Sequence, residues 1–163
     1  MKRLALIGLA LAAGLSGCGF GDRSADASPA TFEAADKFAI TELQTRFHEA
    51  NSTKNLELLM SLFADDAVFT SGGHTFTGKD QIRNFYVTKA GPFRPENNWT
   101  SLHPAFKVRI TAAEDRGTVH FECHYVDVAT QEFKSSVGAD GKVARIDGKW
   151  LFTSLLASNA SLG

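Results

Sequence analysis

The sequence is poor in the features that most directly announce a function. It carries no excess of basic charge: 17 Lys and Arg stand against 18 Asp and Glu, for a net charge of −1. Without a basic stripe there is no footprint for phosphate, which excludes nucleic acid as a partner. The opening apolar run, residues 4–15, covers about 18 Å of helix, short of the ~30 Å hydrocarbon core that a spanning helix must cross. Tyrosine, tryptophan and cysteine occur twice each. No internal repeat is present. What the chain has in abundance is phenylalanine, thirteen residues, enough aromatic carbon to fill a core or line an apolar cavity. At 163 residues and 44% hydrophobic, there is room for one domain with a true core.

The first residues read as an address. "MKRLALIGLALAAGLSGC" has a basic start at Lys2 and Arg3, an apolar run, and then small residues, the pattern of a secretory signal. Its end, "LSGC" at residues 15–18, resembles the lipobox of bacterial lipoproteins. That resemblance implies cleavage before Cys18, a diacylglycerol on its sulfur and an acylated amino end. Two or more acyl chains hold a protein stably to a membrane, whereas one does so only marginally. Gly19 is not the Asp that retains such proteins in the inner membrane. In a source with two membranes, the expected location is therefore the outer one, facing the periplasm. A lipidated Cys18 leaves Cys123 without a partner, so no internal disulfide is expected. Cys123, between Phe121 and Tyr125, reads as a buried, inert thiol.

Three segments follow from this: a signal peptide over 1–17, a flexible Gly, Ala, Ser and Pro tether over 18–30, and one domain over 31–163. The domain opens with a helix whose apolar residues Phe32, Ala35, Ala39, Leu43, Phe47 and Ala50 recur at three- and four-residue steps. Asn55 can cap a second short helix. Val68 and Phe69, then 75–77, favour strands about a Gly72–Gly73 turn. "KDQIRNFYVTKA" reads as a third helix burying Ile82, Phe85 and Tyr86, stopped by Gly91 and Pro92. From Trp99 onward the pattern is strands. Phe106, Val108 and Ile110 alternate with Lys107 and Arg109, and Asp147–Gly148 is a hairpin signal. Strands are expected over 133–137 and 143–146, with Asp140 in a turn between them. Helices first and strands last indicate an α+β domain.

"LFADDAVFTSGG", "FTGKDQIRNF" and the closing "RIDGKW" resemble the SnoaL-like group of the nuclear transport factor 2-like superfamily, over about 33–158. The resemblance implies a cone: a strongly curved antiparallel sheet with about three N-terminal helices packed on its concave face, enclosing a cavity. It also implies a homodimer, since many members pair through the sheet. Members include cyclases, isomerases, dehydratases and non-catalytic binders, so fold alone does not choose among them. Where isomerase-like members place an Asp, this chain has Ser71. Where dehydratase-like members place acids at the end of the first helix, it has Asn51 and Ser52. The His that opens the long strand in those members is matched by His103.

His103 is accordingly the first candidate for an acid–base group, with Asp66 and Tyr125 beside it; Asp65 and Asp66 also suit a cap on the chain reversal after the second helix. The expected pocket combines Phe69, Phe85, Tyr86 and Trp99 with His103, Phe121, Tyr125 and Trp150. Its ligand would be a small hydrophobic molecule. In "TVHFECHYVDV", residues 118–128, His120, Glu122 and His124 share one face of a strand at ~6.6 Å steps. The opposite row, Val119, Phe121, Cys123 and Tyr125, is apolar and should face the core. The His/Glu row should then face outward, solvated or at an interface. No further cluster supplies a converging third ligand, so neither a metal nor a cofactor is expected. Three readings stay open: a lipid-anchored envelope protein binding a small hydrophobic ligand or an envelope partner, a lyase- or isomerase-like enzyme using His103, and an assembly scaffold.

Overall fold

The structure, a computed structural model, describes residues 29–160, with side chains from residue 31. The signal segment, Cys18 and most of the tether expected from the sequence lie outside the described residues. Helix α1 (Pro29–Ser52) is followed by α2 (Leu56–Ser61), β1 (Phe63–Ser71), β2 (His74–Thr77) and α3 (Lys79–Thr88). A 3-10 turn, Gly91–Phe93, leads to β3 (Trp99–Ser101), β4 (Phe106–Ala113), β5 (Arg116–Asp127), β6 (Phe133–Ile146) and β7 (Lys149–Asn159). Among these residues no helix is long and apolar enough to cross a membrane.

Local chemistry sets most boundaries. Asn55 caps α2, its Oδ1 accepting from the Leu58 amide at 2.9 Å. Gly72 and Gly73 take φ of 57° and 77°, and Asp147 and Gly148 take 49° and 75°. Positive φ at both central residues is what a two-residue hairpin turn demands. The β1–β2 and β6–β7 hairpins therefore form where the sequence places their turns. Asp65 and Asp66 do not cap a reversal after α2. Both lie on β1, exposed to solvent, with Asp65 paired to Lys79 at 2.8 Å.

The seven strands form one curved sheet in the order β2-β1-β7-β6-β5-β3, with β4 also pairing β5. Every junction is antiparallel except β1–β7, which is parallel. β3 and β4 line the same edge of β5, interrupted by the bend at residues 102–105. Two details differ from the alternation read off the sequence. The β4–β5 register shifts between Phe106 and Arg109, where Lys107 adopts φ of 49°. This bulge puts Phe106 opposite Glu122 on the outer face while Ile110 sits opposite Val119 on the inner one. And β6 is continuous, with Asp140 inside the strand opposite His120 rather than in a turn. Gly141 serves close approach: a Cβ there would stand 3.0 Å from the Phe152 ring.

The core lies between α1 and the concave face. Ile40, Leu43 and Phe47 of α1 meet Val119, Phe121 and Phe152 of the sheet, all at most 5% exposed. Phe152 touches three aromatic rings, with centroids 5.8 Å from Phe47, 5.5 Å from Phe63 and 6.4 Å from Phe121. Phe32, expected in the stripe, is 60% exposed, because burial begins only near Ile40. Phe152→Ala is expected to cost about 3–5 kcal/mol of unfolding free energy. Phe38→Ala, at a residue 67% exposed, is expected to cost under ~0.5 kcal/mol. Urea titration of both variants checks the contrast, and equal losses would contradict this placement of the core.

Candidate functional site

Toward its wide end the cone is not filled. A cavity of about 230 Å³ lies between the sheet, the end of α1 and the α3–turn segment. Its wall on the helical side is ringed by Phe85, Tyr86 and Pro92, with Phe47 and Asn51 from α1. The sheet contributes Phe69, Trp99 and Tyr125, and between them the small or short side chains of Ser135, Val137, Ala139 and Ala157. The void exists because these short side chains face rings that cannot reach them. Gly91 has a specific part. A Cβ there would stand 2.5 Å from the Trp99 ring, so glycine is what lets that indole lie against the turn.

Five of the eight expected lining residues, Phe69, Phe85, Tyr86, Trp99 and Tyr125, do line the cavity. The other three do not. Phe121 is fully buried one layer away, its ring 5.4 Å from Phe47 and 5.5 Å from His48. Trp150 lies under the Arg145 guanidinium, 5.1 Å from ring to carbon, and Arg145 in turn pairs with Asp36 near the start of α1. His103 is exposed in the bend between β3 and β4. Of the acid–base candidates, only Tyr125 touches the cavity; Asp66 faces solvent on β1. Burial raises the Tyr125 phenol well above its ordinary pKa, which keeps it a neutral hydrogen-bonding group.

The histidine that the fold does draw inward is His48, 2% exposed on α1. Its Nδ1 shares a hydrogen bond with Ser101 Oγ at 2.6 Å, and its Nε2 lies 3.8 Å from Cys123 Sγ at the cavity floor. Burial first, and the neighbouring His103 second, lower its pKa to about 4. The neutral ring has a single N–H, so one of these two neighbours donates to it and the other accepts. Burial pushes the Cys123 thiol up to about 12. A thiol so rarely ionised near neutral pH is a poor nucleophile. Sequence reasoning passed over His48 because the apolar stripe drew attention to its neighbours. The signal was present in Gln44, His48 and Asn51, which recur at steps of four and three residues beside that stripe and are all at most 2% exposed.

The outward row behaves differently. His120 Nδ1 meets Asp140 Oδ1 at 2.7 Å, and His124 Nε2 meets Glu122 Oε2 at 3.1 Å. Lys107 reaches the other Glu122 oxygen at 3.1 Å. The row is less solvated than its position suggests. Glu122 is only 5% exposed, because the bulged β4 places Lys107 beside it and the Phe106 ring on His124 at 4.3 Å. The hydrogen bond from His124, with Lys107 beside it, holds the Glu122 carboxyl below its usual range. Among the described residues no three His, Cys, Asp or Glu side chains cluster so as to hold a metal ion.

The lining residues thus supply rings, amides and hydroxyls, and one charge, Lys89 at the exposed rim. No Asp, Glu or His lines the cavity. Such a surface can grip an apolar molecule and orient it; it holds no group poised to take a proton from it. The depressed His48 pKa carries a consequence for stability. Its folded value of about 4 lies below the unfolded 6.5, so the unfolded chain binds the extra proton between those limits. The stabilisation is complete above pH 6.5 and is lost as pH falls toward 4, by roughly 3 kcal/mol in all. Urea unfolding of the protein and of His48→Gln at pH 7 and pH 4 is expected to show that much excess acid sensitivity in the former.

The structure is similar to a protein with a cystatin-like fold from Nostoc punctiforme at 21% identity, covering 79% of this chain and 94% of that one, with a TM-score of 0.66. It is similar to an NTF2-like protein from Pseudomonas putida at 16% identity, covering 77% and 87%, with a TM-score of 0.67. A type 2 hexachlorocyclohexane dehydrochlorinase matches at 18% identity over 78% of this chain and 87% of that one, with a TM-score of 0.63. At these identities the likeness establishes the fold alone. No curated protein matches the chain in sequence. The family model described as SnoaL-like domain matches residues 33–155. Together with the curved sheet and its three covering helices, that match shows that the chain belongs to the SnoaL-like domain family of the nuclear transport factor 2-like fold.

Proposed function

We propose that this chain is an envelope lipoprotein whose cone binds a small, ring-bearing apolar molecule. The observation that carries the binding half is the cavity lining: the six aromatic rings of Phe47, Phe69, Phe85, Tyr86, Trp99 and Tyr125, a few neutral polar groups, Lys89 at the rim and no acid–base pair. An apolar cavity of ~150 Å³ holds one benzene. A volume of about 230 Å³ therefore suits a substituted single ring or a two-ring molecule. Naphthalene is the plain probe of this reading. Ala157→Phe projects a ring into the cavity from its half-buried rim. It is expected to weaken naphthalene binding, followed by ligand-observed NMR, by about tenfold, on the scale of a ~1–3 kcal/mol overpacking cost. Absence of binding to the unmodified protein would overturn the reading.

The envelope half rests on the "LSGC" signature at Cys18 and the signal pattern before it. The lipidated cysteine would tether the cone at the membrane, outer-membrane and periplasm-facing in a source with two membranes. The outer face of the sheet supports a pairing of two such chains. It exposes Phe106, Phe133 and Leu156 by 43%, 48% and 47%, more apolar surface than a lone polar face would carry. Cys18→Ser is expected to move the mature chain from the membrane to the soluble fraction of its host, and its sedimentation is expected to give the mass of two chains. Retention in the membrane fraction would reject lipid anchoring at that residue, and a one-chain mass would reject the pairing.

A further inference from the structure

We infer that the molecule held in the cavity is an organic monoanion, an apolar ring system bearing one carboxylate, and that Lys89 is the residue that selects it. This inference rests on the reading of the cavity as a binding site and names the class of its ligand.

Charge distinguishes Lys89 from its neighbours. Of all the residues that line the cavity, Lys89 is the single one with an ionised side chain. It follows the last turn of α3 as its C-cap residue and is exposed. None of the ion pairs among the described residues involves it. The lysine at the other end of α3 differs in this respect, since Lys79 is paired with Asp65. Lys89 is instead drawn over the edge of the aromatic wall, its Nζ 6.0 Å from the centre of the Phe76 ring. A ring beneath an ammonium attracts it without using its N–H donors. Those donors remain for something else at the rim.

The interior fits the other half of such a ligand. Phe69, Phe85 and Tyr86 form a contiguous aromatic wall below the rim, with Phe69–Phe85 centroids 4.9 Å apart and Phe69–Tyr86 5.6 Å. A flat ring system inserted against that wall would leave its polar end at the mouth, beside Lys89. Reversed, it would bury a carboxylate where Cys123 and Tyr125 are neutral and no cation stands, a costly arrangement. The geometry thus sets orientation as well as charge. A neutral ligand of the same shape gains the ring contacts and forgoes the ion pair. At a solvated rim that difference is worth about three- to tenfold in affinity.

The test uses the full chain in detergent and two probes of one shape, 2-naphthoate and 2-naphthamide, titrated calorimetrically at pH 7.5 and low salt. The carboxylate is expected to bind about three- to tenfold more tightly than the amide. Lys89→Gln is expected to erase the preference by weakening the carboxylate about three- to tenfold, and Lys89→Arg to keep it. Raising the salt concentration should narrow the gap in the unmodified protein, because the pair is exposed. If both probes bind with equal affinity, or if the preference survives in Lys89→Gln, the assignment of Lys89 is wrong and the cavity remains a neutral site. If neither probe binds, the cavity reading falls and this inference with it.

Discussion

The structure depends on one constraint: the concave face of a bent sheet must be covered, and a single straight helix can cover only part of it. Where α1 runs closest, Ile40, Leu43 and Phe47 pack against Val119, Phe121 and Phe152 and the interior is solid. As the cone widens, α1 gives way to α3 and the turn at Gly91, and the sheet offers Val137, Ala139 and Ala157 instead of rings. Small residues on one wall and fixed rings on the other leave space between them. The cavity is thus a product of where volume was withheld, and filling it would need little more than larger side chains at the alanines. Close packing is the default of protein interiors. A void bounded by aromatics but opened by alanine and glycine is therefore a property of this particular sequence.

Burying polar groups beneath that void carries a cost, and the chain meets it by keeping them neutral and, apart from the Gln44 amide nitrogen, paired. His48 could have stayed charged only with an anion at hand, and its neighbours are a serine, a thiol and another imidazole. Burial therefore removes its proton. Asn51, 1% exposed, donates to the Phe47 carbonyl at 2.8 Å. Ser52 accepts from the Ser101 amide at 2.9 Å and so ties α1 to β3. This polar seam fixes how the helix end sits on the sheet, and with it the width of the cavity above. An ionised Asp in place of Asn51 would have no cation within the seam.

How far the sequence could be read follows from which interactions are local. Turns and caps are decided by a few adjacent residues, and Gly72–Gly73, Asp147–Gly148 and Asn55 act where their chemistry indicates. The α+β order and the inward apolar row of β5 were legible for the same reason, being periodic. What escaped were features settled across the sheet. The bulge at Lys107 exists because β4 must follow the curve of β5, and no alternation within β4 reveals it. β6 runs unbroken through Gly141, where Phe152 needs the space that glycine leaves, although glycines in isolation read as a turn. His103 looked like the inward histidine because of its place before the long strand. The bend leaves it exposed, and His48, one helix away, fills the buried position.

The two faces of the sheet differ in how their charges are answered, and that difference favours binding over metal chemistry. On the outer face every member of the His/Glu row already has a partner supplied by the fold: Asp140 for His120, and Lys107 and His124 for Glu122. Ligands for a metal need free lone pairs converging on one point, and here they are spent in separate pairs pointing along the sheet. On the inner side His48, Asn51 and Ser101 are paired within the fold, the Gln44 amide nitrogen is left without a partner, and at the rim Lys89 leans on a ring rather than a carboxylate. Among the residues that line the cavity Lys89 is the one cation, and with no carboxylate paired to it the counter-charge falls to whatever enters.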